Sequence, residues 1–202
     1  MKPSSHRAAS AQRLLSVFAA AALALAWLAG PLARPASAQT FVVPVGTLPP
    51  TGPPNFETPQ VHPLVITPDG TRLLAVNSPN ATLSVFQLTS GTPVLTAEIP
   101  VGLEPVSVAA RNDREAWVVN WLSDSVSVVD LTTGNVVRTI DVGDEPTDVL
   151  FAGSSRELAY VCVSGPAQVK AFDPASGSAT PVATLDIFSK QPRALARDAG
   201  GT

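Results

Sequence analysis

The sequence predicts an all-β fold, a partial β-propeller of about three four-stranded antiparallel blades plus the start of a fourth. Residues 116–143 contain three short runs of β-branched and aromatic residues separated by turn residues, a composition that suits a half-buried pleated sheet. Similar segments recur at intervals of about 42 residues, as propeller blades do. The apolar stripes of period 3.6 that a helical repeat needs do not occur in residues 39–202.

The repeat is visible in prolines and glycines that return at a nearly constant spacing. Pro105 and Pro146, in the similar segments LEPVSV and DEPTDV, are 41 residues apart. Pro63 lies 42 residues before Pro105, and Pro192 lies 46 residues after Pro146. The turn segments QLTSG, DLTTG and DPASG place glycines at positions 91, 134 and 177. Such a period, filled with four strand-sized segments, is typical of a propeller blade.

These segments resemble the YVTN-repeat β-propeller family. The match is closest in residues 117–146, where WVVN stands at the YVTN-like strand and DVGDEP leads into the next blade. TPDGTRLLAVN (67–77) repeats the signature. Residues 157–177 are a weaker copy, with Cys162 at the position of Asn77 and Asn120. The resemblance covers residues 61–202 and implies a fold but no particular activity, because propellers carry many unrelated functions.

The period divides the chain into a signal peptide (1–38), a closing strand with a proline-rich connection (39–60) and an incomplete propeller (61–202). The blades are expected at about 61–102, 103–143 and 144–188, with the start of the next at 189–202. In the second blade the strands are predicted at about 106–110, 116–121, 126–131 and 136–142. Because residues 197–202 match the turn after a first strand, we expect an N-terminal fragment of a longer propeller whose open blade faces cause association.

The N-terminus has the pattern of a secretory signal peptide. Lys2, Arg7 and Arg13 form a basic start, Leu14–Gly30 is apolar or small, and a small-x-small site ends at Ala38. Cleavage after Ala38 would give a periplasmic or secreted protein, and an uncleaved membrane anchor is the alternative. The following segment FVVPVG (41–46) copies the last strand of a blade. We expect it to close the ring as an outermost strand.

The net charge argues against two classes of partner, and the single cysteine has a simple interpretation. The whole chain has a net charge of −3, and the chain without residues 1–38 has nine basic and sixteen acidic residues, a net of −7. An acidic surface repels nucleic acid and anionic lipid, so neither is expected as a partner after signal cleavage. The single cysteine, Cys162, lies in an apolar run and is predicted to be a buried, unreactive thiol.

No catalytic constellation is recognisable in the sequence. His62 is the only histidine after the signal, which argues against multi-histidine metal sites and a Ser-His-Asp triad. No haem-attachment motif, phosphate-binding glycine loop or nucleophile elbow occurs. We therefore assign no catalytic residue, cofactor or metal, and a non-catalytic role is favoured over an enzymatic one.

Resemblance to other propellers implies that ligands bind on the face that carries the blade-to-blade links, and in the axial channel. The candidate binding residues on that face are His62, Glu104, Trp121, Asp124 and Glu145. Each has a plainer interpretation: His62 as a solvated or capping residue, Trp121 as packing between blades like Trp117, and the acids as a solvated rim. Trp121 is the candidate for an exposed platform.

The predicted function is that of an exported, non-catalytic binding or scaffold module with a protein or small-molecule ligand on the propeller face. The alternative is the N-terminal propeller of a larger periplasmic oxidoreductase whose haem or quinone centre lies outside this chain. A Cys-x-x-Cys-His motif further along the reading frame would decide for the alternative.

Overall fold

The computed structural model describes residues 59–188 and 190–198 of the 202-residue chain. The predicted signal peptide, with its cleavage site after Ala38, and the predicted closing strand Phe41–Gly46 lie outside these residues.

The described residues form three four-stranded antiparallel sheets, each built from consecutive strands. Blade 1 contains β1 (Leu64–Ile66), β2 (Arg72–Asn77), β3 (Thr82–Gln87) and β4 (Val94–Pro100). Blade 2 contains β5 (Pro105–Ala110), β6 (Glu115–Asn120), β7 (Ser125–Asp130) and β8 (Asn135–Asp141). Blade 3 contains β9 (Pro146–Ala152), β10 (Leu158–Val163), β11 (Gln168–Phe172) and β12 (Ala183–Asp186). The all-β partial propeller is confirmed, and the strands of blade 2 begin and end within one residue of the predicted positions.

Turn residues end the strands where the sequence repeat places them. Gly91, Gly134 and Gly177 have φ of 79°, 69° and 68°, the left-handed region that glycine enters without steric cost. In blade 2 the Asp130 carboxylate accepts the amide of Thr132 at 2.7 Å. The three glycines therefore recur because each turn between the third and fourth strands needs the same backbone conformation.

Apolar side chains pack between neighbouring blades. Trp117 on β6 is fully buried and meets the ring of Phe151 on β9 edge-to-face, with centroids 5.5 Å apart, a favourable aromatic geometry. The predicted packing of Trp117 between blades is confirmed. A second cluster joins blades 1 and 2 and includes Leu74, Leu83 and Val118.

The innermost strands lie side by side and run in the same direction. His62 and Ser107 form a parallel bridge, and the Val108 amide donates to the His62 carbonyl at 2.9 Å. Residues 190–198 contain no assigned strand but lie against β9, where Arg197 Nη1 donates to the Phe151 carbonyl at 3.3 Å. Four chain segments therefore meet at the inner edge of the described blades.

The predicted alignment of blade 3 is wrong by one residue. Asn77 pairs with Thr82 and Asn120 pairs with Ser125, and the residue paired at the same place in blade 3 is Val163, opposite Gln168. Cys162 lies one position earlier. It is buried as expected, and burial raises the pKa of its thiol.

Helical structure in the described residues is limited to one 3-10 turn, Ser78–Asn80. A helix long and apolar enough to cross a membrane is not found in this part of the chain.

Candidate functional site

The structure places Glu104 and Glu145 in the links that enter blades 2 and 3. Both have left-handed backbones, with φ of 52° and 56°. The Glu104 carbonyl accepts the Trp121 amide at 3.0 Å, and the Glu145 carbonyl accepts the Ser164 amide at 2.9 Å. Each residue thus ties the link to the neighbouring loop between the second and third strands. Their side chains are half-buried.

Asp124 and Glu145 are brought together on this face. Asp124 Oδ1 accepts the Glu145 amide at 3.1 Å, and the Asp124 carbonyl accepts the Val142 amide at 3.0 Å. Ala81 and Ala167 stand at the same place in the other two blades and share the left-handed backbone of Asp124. The loop conformation therefore does not need a carboxylate, and the Asp124 side chain adds a bond to the link.

Trp121 is half-buried rather than an exposed platform. Its side chain packs against the core cluster between blades 2 and 3. The indole Nε1 is buried and has no hydrogen-bond partner among the described residues. An indole so placed contributes mainly apolar contact to the blade interface.

His62 is paired with an acid from a different blade. Its Nδ1 lies 2.9 Å from Oδ2 and 3.0 Å from Oδ1 of Asp148, the third residue of β9. The imidazole side chain is 52% exposed, and the carboxylate is fully buried. Since a carboxylate accepts hydrogen bonds, the proton lies on Nδ1, and Nε2 has no hydrogen bond within the described residues.

Three further donors meet the Asp148 carboxylate. Ser107 Oγ donates to Oδ1 at 2.7 Å, and the amide of Val149 donates to the same oxygen at 2.9 Å. The Leu195 amide donates to Oδ2 at 2.7 Å. Four donors therefore satisfy the two acceptor oxygens of this buried carboxylate. We refer to His62, Ser107 and Asp148, with the Leu195 amide, as the axial cluster.

The propeller fold does not require this polar cluster. In each blade a proline precedes or begins the inner strand. The residue two positions after this proline is Val65 in blade 1, Ser107 in blade 2 and Asp148 in blade 3. Burying a charged group costs several kcal/mol before its partners compensate. Sequence analysis assigned no role to Ser107 or Asp148. The signal that could have found them is a polar residue at a repeat position that is apolar in blade 1.

A cavity of about 260 Å³ adjoins the axial cluster. It runs between the inner segments, with His62 and Arg197 among its lining residues and mostly aliphatic side chains on its walls, including Leu64, Val108 and Leu150. Small-molecule sites also combine an apolar wall with a few polar groups, at volumes of about 300–1,000 Å³, so this cavity is slightly smaller than that range. Groups of three His, Cys, Asp or Glu side chains that could hold a metal are not found in the described residues.

Comparison with known proteins supports the fold. No family model matches the chain, and no curated protein matches it. Hydrazine synthase of Kuenenia stuttgartiensis is 24% identical with a TM-score of 0.59, over 71% of this chain and 41% of that one. A candidate 6-phosphogluconolactonase of Bacteroides uniformis is 20% identical with a TM-score of 0.58, over 68% of this chain and 47% of that one.

A functionally unknown protein of Desulfotomaculum acetoxidans is 18% identical with a TM-score of 0.52, over 60% of this chain and 40% of that one. This chain thus spans less than half the length of each of the three solved structures. At these identities the likeness shows the fold alone, a propeller architecture of which the described residues form a part.

Proposed function

We propose that this chain is part of an exported, non-catalytic propeller of the YVTN-repeat kind, which binds a ligand at the axial cluster and on the face around it. The observation that carries the proposal is the half-exposed imidazole of His62, oriented by the fully buried carboxylate of Asp148. A purely structural inner strand has no need of this pair, because Val65 serves at the equivalent position of blade 1. The pair holds the His62 ring at a cavity that His62 itself lines.

A binding screen on the full-length protein tests this function. We expect compounds of a metabolite panel that raise the melting temperature of the wild-type protein to lose that effect with His62→Phe. Each compound should be recovered unchanged after prolonged incubation with the protein, as judged by NMR. Turnover of a bound compound would contradict the non-catalytic assignment. If every compound that raises the melting temperature does so equally in the His62→Phe variant, the ligand does not bind at the axial cluster.

Export is the second part of the proposal. It rests on the basic start, the apolar run 14–30 and the small-x-small site at Ala38. We expect N-terminal sequencing of protein from the periplasm or medium to begin at Gln39. Protein that stays in the membrane fraction with an intact Met1 would favour an uncleaved anchor.

The alternative is that this chain is the N-terminal propeller of a larger periplasmic oxidoreductase, with the haem or quinone centre outside this chain. The propeller would then dock or position the redox partner. A Cys-x-x-Cys-His motif downstream in the reading frame, together with a haem absorption spectrum of the purified full-length product, would support this alternative against the binding module.

A further inference from the structure

We propose that the groove between blades 1 and 2 binds a primary alkylammonium group, which is the chemistry of a lysine side chain or of a free alkylamine. The groove has a volume of about 560 Å³ and lies between residues 100–102, at the end of β4, and residues of β7 and β8. It shares no lining residue with the cavity beside the axial cluster. The inference therefore goes beyond the proposed function and can fail without it.

The interface between blades 2 and 3 shows what fills this place when a lysine is present. Lys170 on β11 donates from Nζ to the Val142 carbonyl at 2.7 Å, from blade 3 across to blade 2. The repeat puts Val101 at the place of Val142, 41 residues earlier. It puts Ser127 at the place of Lys170, 43 residues earlier, and the second and third strands pair in the same register there. One interface thus carries its own ammonium group, and the other has a serine in its place.

The groove offers mainly hydrogen-bond acceptors. The Val101 carbonyl accepts no hydrogen bond from the described residues. Ser125 Oγ and Ser127 Oγ accept from Asn120 Nδ2 at 3.2 and 3.0 Å, and each hydroxyl keeps a second lone pair. Asp141 is exposed and brings a negative charge, and none of the residues that line the groove is basic. A positively charged donor therefore complements this site.

A buried amide group beside the groove also has an unpaired acceptor. Asn120 is fully buried, and its Oδ1 has no hydrogen-bond partner among the described residues. Its Nδ2 contacts Ser125 and Ser127, and a Cβ at Gly102 would lie 2.6 Å from the same atom. Because Gly102, Ser125 and Ser127 all line the groove, the Asn120 carboxamide adjoins it. Buried polar atoms normally have a partner, so this amide is a second sign of a missing donor.

These features favour a primary ammonium over other cations. An ammonium carries three N–H donors and no acceptor, and Lys170 shows such a group on the equivalent carbonyl. A guanidinium is suited to paired contacts with a carboxylate, and a calcium ion needs six or more oxygen ligands. Asp141 is the one carboxylate that lines the groove. Clusters of three side chains that could hold a metal are not found in the part of the chain that the structure describes.

A ¹H–¹⁵N NMR titration of the full-length protein with three probes tests the site. The n-butylammonium ion has a chain like that of lysine, n-butanol lacks the charge, and tetramethylammonium has the charge but no N–H group. At a pH of about 7, where an alkylamine is protonated, n-butylammonium should shift the amide signals of Gly102 and Ser127 in a saturable manner. The other two probes should bind about tenfold or more weakly, because they leave acceptors of the site unpaired. Equal binding of the three probes, or no binding of n-butylammonium, would overturn the proposal.

The variant Ser127→Lys locates the site. The introduced side chain should occupy the groove as Lys170 does in the next interface, so n-butylammonium should no longer bind. Ser90→Lys, which makes the same change of charge in the exposed turn after β3, should leave the affinity unchanged. If n-butylammonium binds Ser127→Lys as it binds the wild-type protein, the groove is not its site. The comparison among probes needs only the wild-type protein, so a variant that fails to fold does not remove the test.

A fourth probe distinguishes the two sources of the ammonium group. Nα-acetyllysine methylamide presents a lysine side chain on a peptide backbone. Tighter binding of this probe than of n-butylammonium would identify a lysine of a partner protein as the ligand, and equal or weaker binding would identify a free alkylamine. Failure of both probes to bind would overturn this inference. It would leave the proposed function intact, because that function depends on His62, which lies outside the groove.

Discussion

At the scale of single residues, Asp148 is the group on which the inner segments converge. It joins β9 to the segment before β1 through His62, to β5 through Ser107, and to residues 190–198 through the Leu195 amide. Because the carboxylate is fully buried, losing it would leave buried donors such as the Ser107 hydroxyl without an acceptor, which is expensive. The same group therefore contributes to blade contact and to the orientation of His62.

Replacing Asp148 with asparagine should lower the free energy of unfolding by about 2–4 kcal/mol. The amide keeps one acceptor oxygen, but its NH₂ group faces donors in place of the second oxygen. Urea denaturation followed by tryptophan fluorescence measures the change. Asp141→Asn is the matched control, because Asp141 is exposed and its oxygen can still accept the Gly143 amide. Equal stability of the two variants would contradict the role given to Asp148.

Asp69 gives a prediction about the stability of the fold at low pH. The hydroxyl of Thr67 donates to its carboxylate at 2.6 Å, and with the Thr71 amide it lowers the pKa of Asp69 from 3.8 to about 2. A depressed folded-state pKa stabilises the fold above pH 3.8, and this contribution is lost as the pH falls through about 2. A carbon-detected NMR titration should find the Asp69 carboxyl titrating near 2. Titration near 4 would show that the turn bonds are absent in solution.

At the scale of the elements, the positions of the strands could be predicted mainly from the sequence repeat. The strands of blade 2 could be placed to within one residue because turn glycines such as Gly134 and prolines such as Pro105 recur with the period. The spacing of 43 residues that separates the turn glycines also separates Asn77 from Asn120, and it leads to Val163 rather than Cys162, so the register of blade 3 could have been predicted from this spacing. The pairing of His62 with Asp148 could not be predicted because the two residues come from different blades, 86 residues apart.

Close packing of a blade link against β6 gives a prediction for Gly102. A Cβ at this position would lie 2.6 Å from the side chain of Asn120, which is fully buried and donates to Ser125 and Ser127. We expect Gly102→Ala to destabilise the protein by about 1–3 kcal/mol, as overpacking does. Thermal or urea unfolding measures it.

The double variant Gly102→Ala with Asn120→Ala supplies the control. Removing the Asn120 side chain opens space for the new methyl group, so the two effects should be less than additive. If the two losses of stability are additive, the destabilisation by Gly102→Ala does not come from contact with the Asn120 side chain.

At the scale of the whole molecule, the described blades leave apolar side chains uncovered. Leu64 and Ile66 on β1, Leu185 on β12 and Phe188 after it are all well exposed. Apolar surface of this kind favours association. We expect the isolated 202-residue chain to associate at protein concentrations of tens of micromolar, and Phe188→Ser to weaken that association. Light scattering that finds one monodisperse monomer for the wild-type protein would contradict this expectation.

The most direct test of the axial site is the tautomer of His62, measured by long-range ¹H–¹⁵N NMR on protein carrying His6→Gln, which leaves one histidine in the chain. The pH is raised until the imidazole signals no longer change, and the spectrum is recorded there, so that the neutral ring is observed. The structure predicts that the proton is on Nδ1, bonded to Asp148, with Nε2 unprotonated, and that Asp148→Asn changes this pattern. A proton on Nε2 in the protein with an intact Asp148 would contradict the geometry on which the proposed binding site depends.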